Sequence, residues 1–144
     1  NSALLKMVVK SPSDFGPEVG GVYLLGNWVL STSTRWAQGQ EYTWYPTDYQ
    51  DIKLPNNRRW EERWNTNLNL TRNIQLRDNL TLKFFLQVTN LFNSRHLRLF
   101  SGSELDNYMA NGTLPFQSTT KEPTEWNWYT NDPRQIYVGT TIEF

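Results

Sequence analysis

The side chains that could do chemistry are few and scattered. His96 is the single histidine of the chain, and it follows Asn93-Ser94-Arg95 just past an apolar run. It has no second imidazole or thiol at a metal-binding spacing, so a surface or loop-packing role is expected. Asp48 with Asp51, and Glu61 with Glu62, have the residue type for acid–base work. That work needs one carboxyl poised against another group, and neither pair has such a neighbour in sequence. Solvated loop charge is the expected reading. Asn69-Leu70-Thr71, Asn79-Leu80-Thr81 and Asn111-Gly112-Thr113 match the glycosylation acceptor pattern, but the first two fall at strand or turn positions. No catalytic residue, metal ligand or cofactor follows from these residues, and the chain does not read as an enzyme.

Binding is better served. Glu41-Tyr42-Thr43-Trp44-Tyr45 with Tyr49, and Trp126-Asn127-Trp128-Tyr129, carry rigid aromatic faces among polar neighbours. Such side chains contact flat apolar groups or sugar rings at low entropic cost. Tyr42, Trp44, Tyr45, Tyr49, Trp126, Trp128 and Tyr129 are therefore the candidate ligand contacts. The competing reading is an interfacial aromatic girdle, or loops packed on each other.

Those loops must be carried by strands. The closing run Arg134–Phe144 alternates without a break: Arg134, Ile136, Val138, Thr140, Ile142 and Phe144 share one mainly apolar phase, and Gln135, Tyr137, Gly139, Thr141 and Glu143 the other. Trp64–Leu76 alternates as cleanly, with Trp64, Leu68, Leu70, Ile74 and Leu76 against a row of Asn, Thr and Gln. Leu80–Phe92 sets Leu80, Leu82, Phe84, Leu86 and Val88 against Thr81, Lys83, Gln87 and Thr89. Val22–Trp36 is longer but less regular, because Leu25 and Val29 fall out of phase. Leu4–Lys10 is short and apolar. Ser11–Gly21 and Arg77–Asn79 connect strands compactly, with the Pro, Gly, Asp and Asn that turns demand. Within Asn93–Pro133, Ser103–Ala110 before Asn111-Gly112 has the pattern of a short capped helix.

Long connections, Ala37–Arg63 and Asn93–Pro133, alternate with the short ones. Loops beyond about 12–15 residues are uncommon in compact domains and are usually functional. A β-sandwich would place turn signals every 8–12 residues or so. Alternate short turns and long loops fit a membrane barrel instead. Trp28, Trp36, Trp64, Phe92 and Phe144 fall near strand ends, where such barrels carry aromatic girdles. Arg72 shares the apolar phase of its strand, and there it costs about 2–4 kcal/mol at the bilayer midplane but about 0–1 near an interface. An interfacial height, or a bulge that flips the phase, would accommodate it.

Composition agrees with this reading. No run of about 18 apolar residues exists, so no transmembrane helix is expected, while barrel strands average out in hydropathy. Formal charge is zero, which argues against a nucleic-acid partner. The absence of Cys removes disulfide frameworks and thiolate metal sites.

Two motifs in order carry a resemblance. Leu80-Thr-Leu-Lys-Phe-Phe-Leu-Gln-Val-Thr-Asn-Leu-Phe-Asn93 resembles the penultimate strand of TonB-dependent outer-membrane receptors, and Asp132-Pro-Arg-Gln-Ile-Tyr-Val-Gly-Thr-Thr-Ile-Glu-Phe144 resembles their last strand. Trp126-Asn-Trp128 ahead of Asp132-Pro133 is similar to the carboxypeptidase-regulatory-like, SusC-like group. The resemblance implies an all-β fold: an antiparallel up-and-down meander of about five long strands, part of a transmembrane barrel of about 22 strands. Residues 1–144 would then be one partial domain, the carboxy-terminal segment, with plug and amino-terminal strands lying elsewhere. It implies active uptake of a scarce solute, such as a siderophore or glycan, across the outer membrane of a Gram-negative cell. The implied partners are outer-membrane lipid, the energy-coupling protein TonB through the amino-terminal part, the barrel-assembly machinery and a surface lipoprotein. Tyr137, Gly139, Ile142 and Phe144 resemble the signal that the assembly machinery recognises. The alternative from another class is a secreted, soluble β-sandwich that binds carbohydrate.

Overall fold

In a computed structural model of the chain, residues 1–45, 54–77, 79–111 and 129–144 are described. The long alternating runs all become strands: β1 (Ser2–Lys10), β4 (Trp28–Ala37), β7 (Arg63–Arg77), β8 (Leu80–Thr89) and β9 (Gln135–Glu143). They form one five-stranded antiparallel sheet in the order β1-β4-β7-β8-β9. Successive long strands are neighbours, so the sheet is a meander. Two minor pairs complete the strand inventory of the described residues: β2 (Glu18–Val19) with β3 (Val22–Tyr23), and β5 (Glu41–Tyr42) with β6 (Arg58–Arg59). The one helix among them is α1 (Ser103–Asn111), with Glu104 and Asp106 in its first turn, where the helix dipole favours carboxylates.

The second long strand begins later than its sequence suggests. Val22 and Tyr23 pair with Val19 and Glu18 across Gly20-Gly21, both at positive φ, and Asn27 is left-handed as well (φ 59°). A left-handed residue just before Trp28 interrupts the extended chain. Leu24 and Leu25 therefore sit in a turn, which explains why Leu25 falls out of phase, and the regular strand starts at Trp28.

The chain divides into two compact units. One holds most of the sheet: residues 3–35, 64–94 and 133–144. Its register places the alternating residues without ambiguity. Leu68, Val88 and Ile136 stand in one cross-strand row, Leu70, Leu86 and Val138 in the next, and Ile74, Leu82 and Ile142 in another. All three rows lie on one face. Thr34 Oγ1 meets Thr66 Oγ1 at 2.9 Å, which puts Trp28, Leu30 and Thr34 of β4 on that face too. The other face carries Asn69, Gln87 and Tyr137, then Asn73, Lys83 and Thr141, then Gln75, Thr81 and Glu143. A hollow of about 320 Å³ lies against this polar face, lined among others by Lys6, Ser31, Ser33, Asn67, Asn69 and Gln87.

The apolar face has almost no cover among the described residues. Val88 is its one buried hydrophobic side chain, while Ile136, Val138 and Ile142 are exposed. Arg72 stands opposite Phe84 on this face. The register shift in β7 falls between Gln75 and Arg77, beyond Arg72, so a bulge does not turn it away. Its guanidinium instead donates to the Tyr23 carbonyl (2.7 Å) and the Gly26 carbonyl (3.3 Å), and lies 5.2 Å from the Trp28 ring centroid. The turn before β4 thus supplies the acceptors that the apolar face lacks.

The second unit comprises residues 1–2, 36–63 and 95–132, essentially the two long connections. Its core is Tyr42, Trp60, Phe100 and Leu105, with Trp44, Leu97, Leu99, Tyr108 and Met109 packed against it. No helix of the described chain is long and apolar enough to cross a membrane.

Candidate functional site

Trp60 is the centre of the loop unit. Its ring makes edge contacts with Tyr42 (5.8 Å) and Phe100 (5.6 Å), and a tilted contact with Tyr108 (5.5 Å). Such pairs are worth about 0.5–1.5 kcal/mol each beyond their buried area. The Trp60 indole N–H donates to the Leu97 carbonyl (2.8 Å), and the Leu97 N–H donates to Glu61 Oε1 (2.6 Å). One peptide segment of the second loop is held on both sides by consecutive residues of the first. Glu62 accepts the Trp36 indole N–H at 2.9 Å. Glu61 and Glu62 are exposed, as expected of solvated loop charge, and each also accepts a hydrogen bond within the loop unit. His96 is buried in the same unit: its carbonyl accepts the Thr130 N–H (2.9 Å) and its N–H donates to Asn131 Oδ1 (3.2 Å). Loop packing is what this geometry describes.

Beside that core lies an open cavity of about 580 Å³, lined by Thr43, Trp44, Tyr45, Pro55, Gly102, Leu105 and Asp106. Three chain segments build it. The stretch leaving β5 supplies Thr43 to Tyr45, the return toward β6 supplies Pro55, and the first turn of α1 supplies the rest. The stretch is held rigidly: the Trp44 N–H donates to Asn57 Oδ1 (3.0 Å), and Asn57 Nδ2 donates to the Trp44 carbonyl (2.7 Å). Thr43 Oγ1 accepts the Asn56 N–H (2.9 Å), the Tyr45 hydroxyl donates to the Leu54 carbonyl, and Arg59 pairs with Glu41. Arg58 lies 5.9 Å from the Trp44 ring centroid. The Trp44 indole N–H is itself buried and finds no acceptor among the described residues. The cavity wall therefore offers the aromatic surface of Trp44 and Tyr45 and an exposed acidic residue, Asp106.

The candidate ligand residues thus divide. Trp44 and Tyr45 come together on the cavity wall. Tyr42 lies behind it in the core, its hydroxyl 3.2 Å from Met109 Sδ. Burial raises the Tyr42 hydroxyl above its ordinary pKa, with Arg58 pulling it down and Tyr108 pushing it up. Tyr129 pairs with Leu97 in an isolated bridge, with Arg95 5.8 Å from its ring centroid, and does not line the cavity. Tyr49, Trp126 and Trp128, like Asp48 and Asp51, lie outside the described residues. Sequence reasoning missed Trp60, Asn57, Phe100, Leu105 and Asp106. Only Leu105 and Asp106 had a signal, the short helix pattern.

At the end of the chain, Tyr137, Gly139 and Ile142 belong to β9, and Phe144 follows it fully exposed. Tyr137 and Gly139 are on the polar face, Ile142 on the apolar one. No cluster of metal-ligating side chains occurs among the described residues. Compared with protein families, curated proteins and solved structures, the chain matches none.

Proposed function

We propose that this chain is the carboxy-terminal wall segment of a TonB-dependent outer-membrane receptor, a transport protein that takes up a scarce solute and does no covalent chemistry itself. One observation carries the reading: the apolar rows of β7, β8 and β9 are in register on a single face that the described residues leave largely open. In water this face is a liability; against lipid it is the required surface. The polar face with its hollow would then border the lumen. Trp28 and Phe144 fall at the end of the sheet that carries the short connections, and Trp64 and Phe92, 5.7 Å apart, at the other. Two aromatic belts at the two interfaces would look like this. Trp44 and Tyr45 on the cavity wall would be offered to ligand. The sandwich alternative asks for a second sheet over the apolar rows, and the other sheets among the described residues are two-residue pairs.

The chain has no Cys, so each cysteine introduced here is the one thiol this segment carries, and the parent protein serves as the labelling control. Leu86→Cys and Val138→Cys, against Gln87→Cys and Tyr137→Cys, are to be made in the full-length receptor and labelled in outer membranes. Cysteines at 87 and 137 should react with a small charged thiosulfonate, and those at 86 and 138 only with a lipid-soluble maleimide. Equal reaction of all four with the charged reagent would overturn the proposal.

A further inference from the structure

Alternation alone leaves the last strand two alternative positions. A one-residue slip of β9 against β8 exchanges the faces and is forbidden by the apolar rows. A two-residue slip keeps Ile136, Val138 and Ile142 on the apolar face and Gln135, Tyr137 and Thr141 on the polar one. Something more specific must exclude it.

Gly139 stands directly opposite Phe85, and Phe85 points to the polar face among Asn, Thr, Gln and Lys. A Cβ built on Gly139 would come within 2.5 Å of two carbons of the Phe85 ring. The ring therefore lies across the glycine, in the space a side chain would take. Packing an aromatic over a glycine restores the cover that the glycine lacks. Slipping by two in one direction brings Tyr137 opposite Phe85; slipping in the other brings Thr141. Each carries a Cβ into the space the ring occupies, so the exposed Phe85 ring must swing away and lose its contact with the strand, a bias against the slip rather than a steric bar.

The start of the strand is held independently. Asn93 Oδ1 accepts the Arg134 N–H (3.1 Å) immediately before β9. Asn93 is left-handed (φ 53°), and its N–H donates to the carbonyl of Asn90 (2.8 Å), itself left-handed (φ 50°). Asn90 is almost fully buried. Its side chain accepts from Ser94 N (2.8 Å) and donates to Ser94 O (3.1 Å), and its N–H donates to Asn67 Oδ1 (3.0 Å) on β7. The Asn90-Leu-Phe-Asn93 motif thus fastens the end of β8 to β7 and presents one acceptor to the first residue of the next strand segment.

We propose that Phe85 and Gly139, with Asn93 fixing the start, are the register lock of β9: they select one of three pairings that hydrophobic patterning leaves equivalent by face. Gly139 then has a role inside the sheet, whatever recognises the strand during assembly. The proposal does not require a membrane, so it can fail while the transport reading stands, and the reverse.

The test is cross-linking in the full chain. Cysteines at 87 and 137 report the observed pairing, those at 87 and 135 one slip, and those at 83 and 143 the other. Only the first pair should cross-link in the parent protein. Gly139→Thr should lower that cross-link several-fold and raise a slipped one, and Asn93→Ala should do so more weakly. If Gly139→Thr instead reduces folded protein, Phe85→Ala in the same chain should restore it by making room. An unchanged native cross-link in a well-folded Gly139→Thr protein would overturn the lock, as would failure of Phe85→Ala to rescue a poorly folded one.

Discussion

Trp60 illustrates how one residue can organise a segment that sequence periodicity cannot reach. It lies in a polar stretch, Asn57-Arg58-Arg59-Trp60-Glu61-Glu62, with no alternation to announce a buried side chain. Its partners Phe100 and Tyr108 are some forty residues away, so pairing them required the fold. The aromatic richness of the long connections was legible, but its division between core and cavity was not. Tyr42 and Trp44 are two residues apart, yet one is in the core and the other on the cavity wall, a distinction set by Asn57 and α1. Trp60→Ala should cost about 3–5 kcal/mol. Hydrogen exchange across residues 36–63 and 95–111 should report that loss as faster opening. Tyr42→Phe keeps the ring and should cost little by comparison, about 0.5–1.5 kcal/mol at most for the lost hydroxyl contact. Its signature is pH. A raised folded-state pKa means the folded state holds the proton more tightly, so Tyr42 contributes fully below the ordinary tyrosine pKa. That contribution fades as pH rises through the raised value. Alkaline difference spectra should therefore lose late-titrating absorbance on Tyr42→Phe; loss from the early part of the curve instead would remove Tyr42 from the core as described.

Among the elements, β7 and β9 were legible to within a residue or two. They follow their apolar rows, because a half-exposed sheet face imposes a period of two on the sequence. β8 stops at Thr89 rather than Phe92, where the left-handed Asn90 ends it. The larger exception is the start of β4. Backbone conformation decides it, through Gly20, Gly21 and Asn27, and no count of apolar positions includes a left-handed residue. Arg72 belongs to the same lesson. Its apolar phase looked like a defect until the turn residues Tyr23 and Gly26 supplied carbonyls to it. Arg72→Leu should leave those carbonyls without their donor and loosen the turn, seen as faster exchange of amides in residues 20–28. The terminal strand makes a sharper prediction. Phe144 is fully exposed, just beyond β9. As a membrane anchor it would contribute the burial of one aromatic, about 1.5–3 kcal/mol, and a large barrel would still assemble without it. As part of an assembly signal it would be indispensable. Under the proposed function, deleting it from the full-length protein should deplete heat-modifiable, folded barrel from outer-membrane fractions. Normal amounts would leave the anchor role alone.

For the whole molecule the decisive quantity is where the apolar surface goes. A soluble domain converges its apolar rows into a core, whereas this sheet keeps one buried hydrophobic residue, Val88, and leaves Ile136, Val138 and Ile142 open. The rows could be read from the sequence strand by strand. Their mutual alignment could not, because it depends on the pairing of Arg77 with Leu80, the shift between Gln75 and Arg77, and the pairing of Gly139 with Phe85. Charge substitution separates the two environments. Val138 and Tyr137 are neighbours on opposite faces, 75% and 51% exposed in the described chain. If the surroundings were water, Val138→Arg and Tyr137→Arg would both be mild, as surface substitutions usually are, within about 0.5 kcal/mol. Under the proposed reading, Val138→Arg places a guanidinium against lipid at a cost of about 2–4 kcal/mol near the midplane, while Tyr137→Arg faces the lumen and is tolerated. Unfolding and refolding of the full receptor in bilayers should therefore show a difference of that size between two adjacent positions. Equal, small effects at both would return the apolar face to water and end the barrel interpretation.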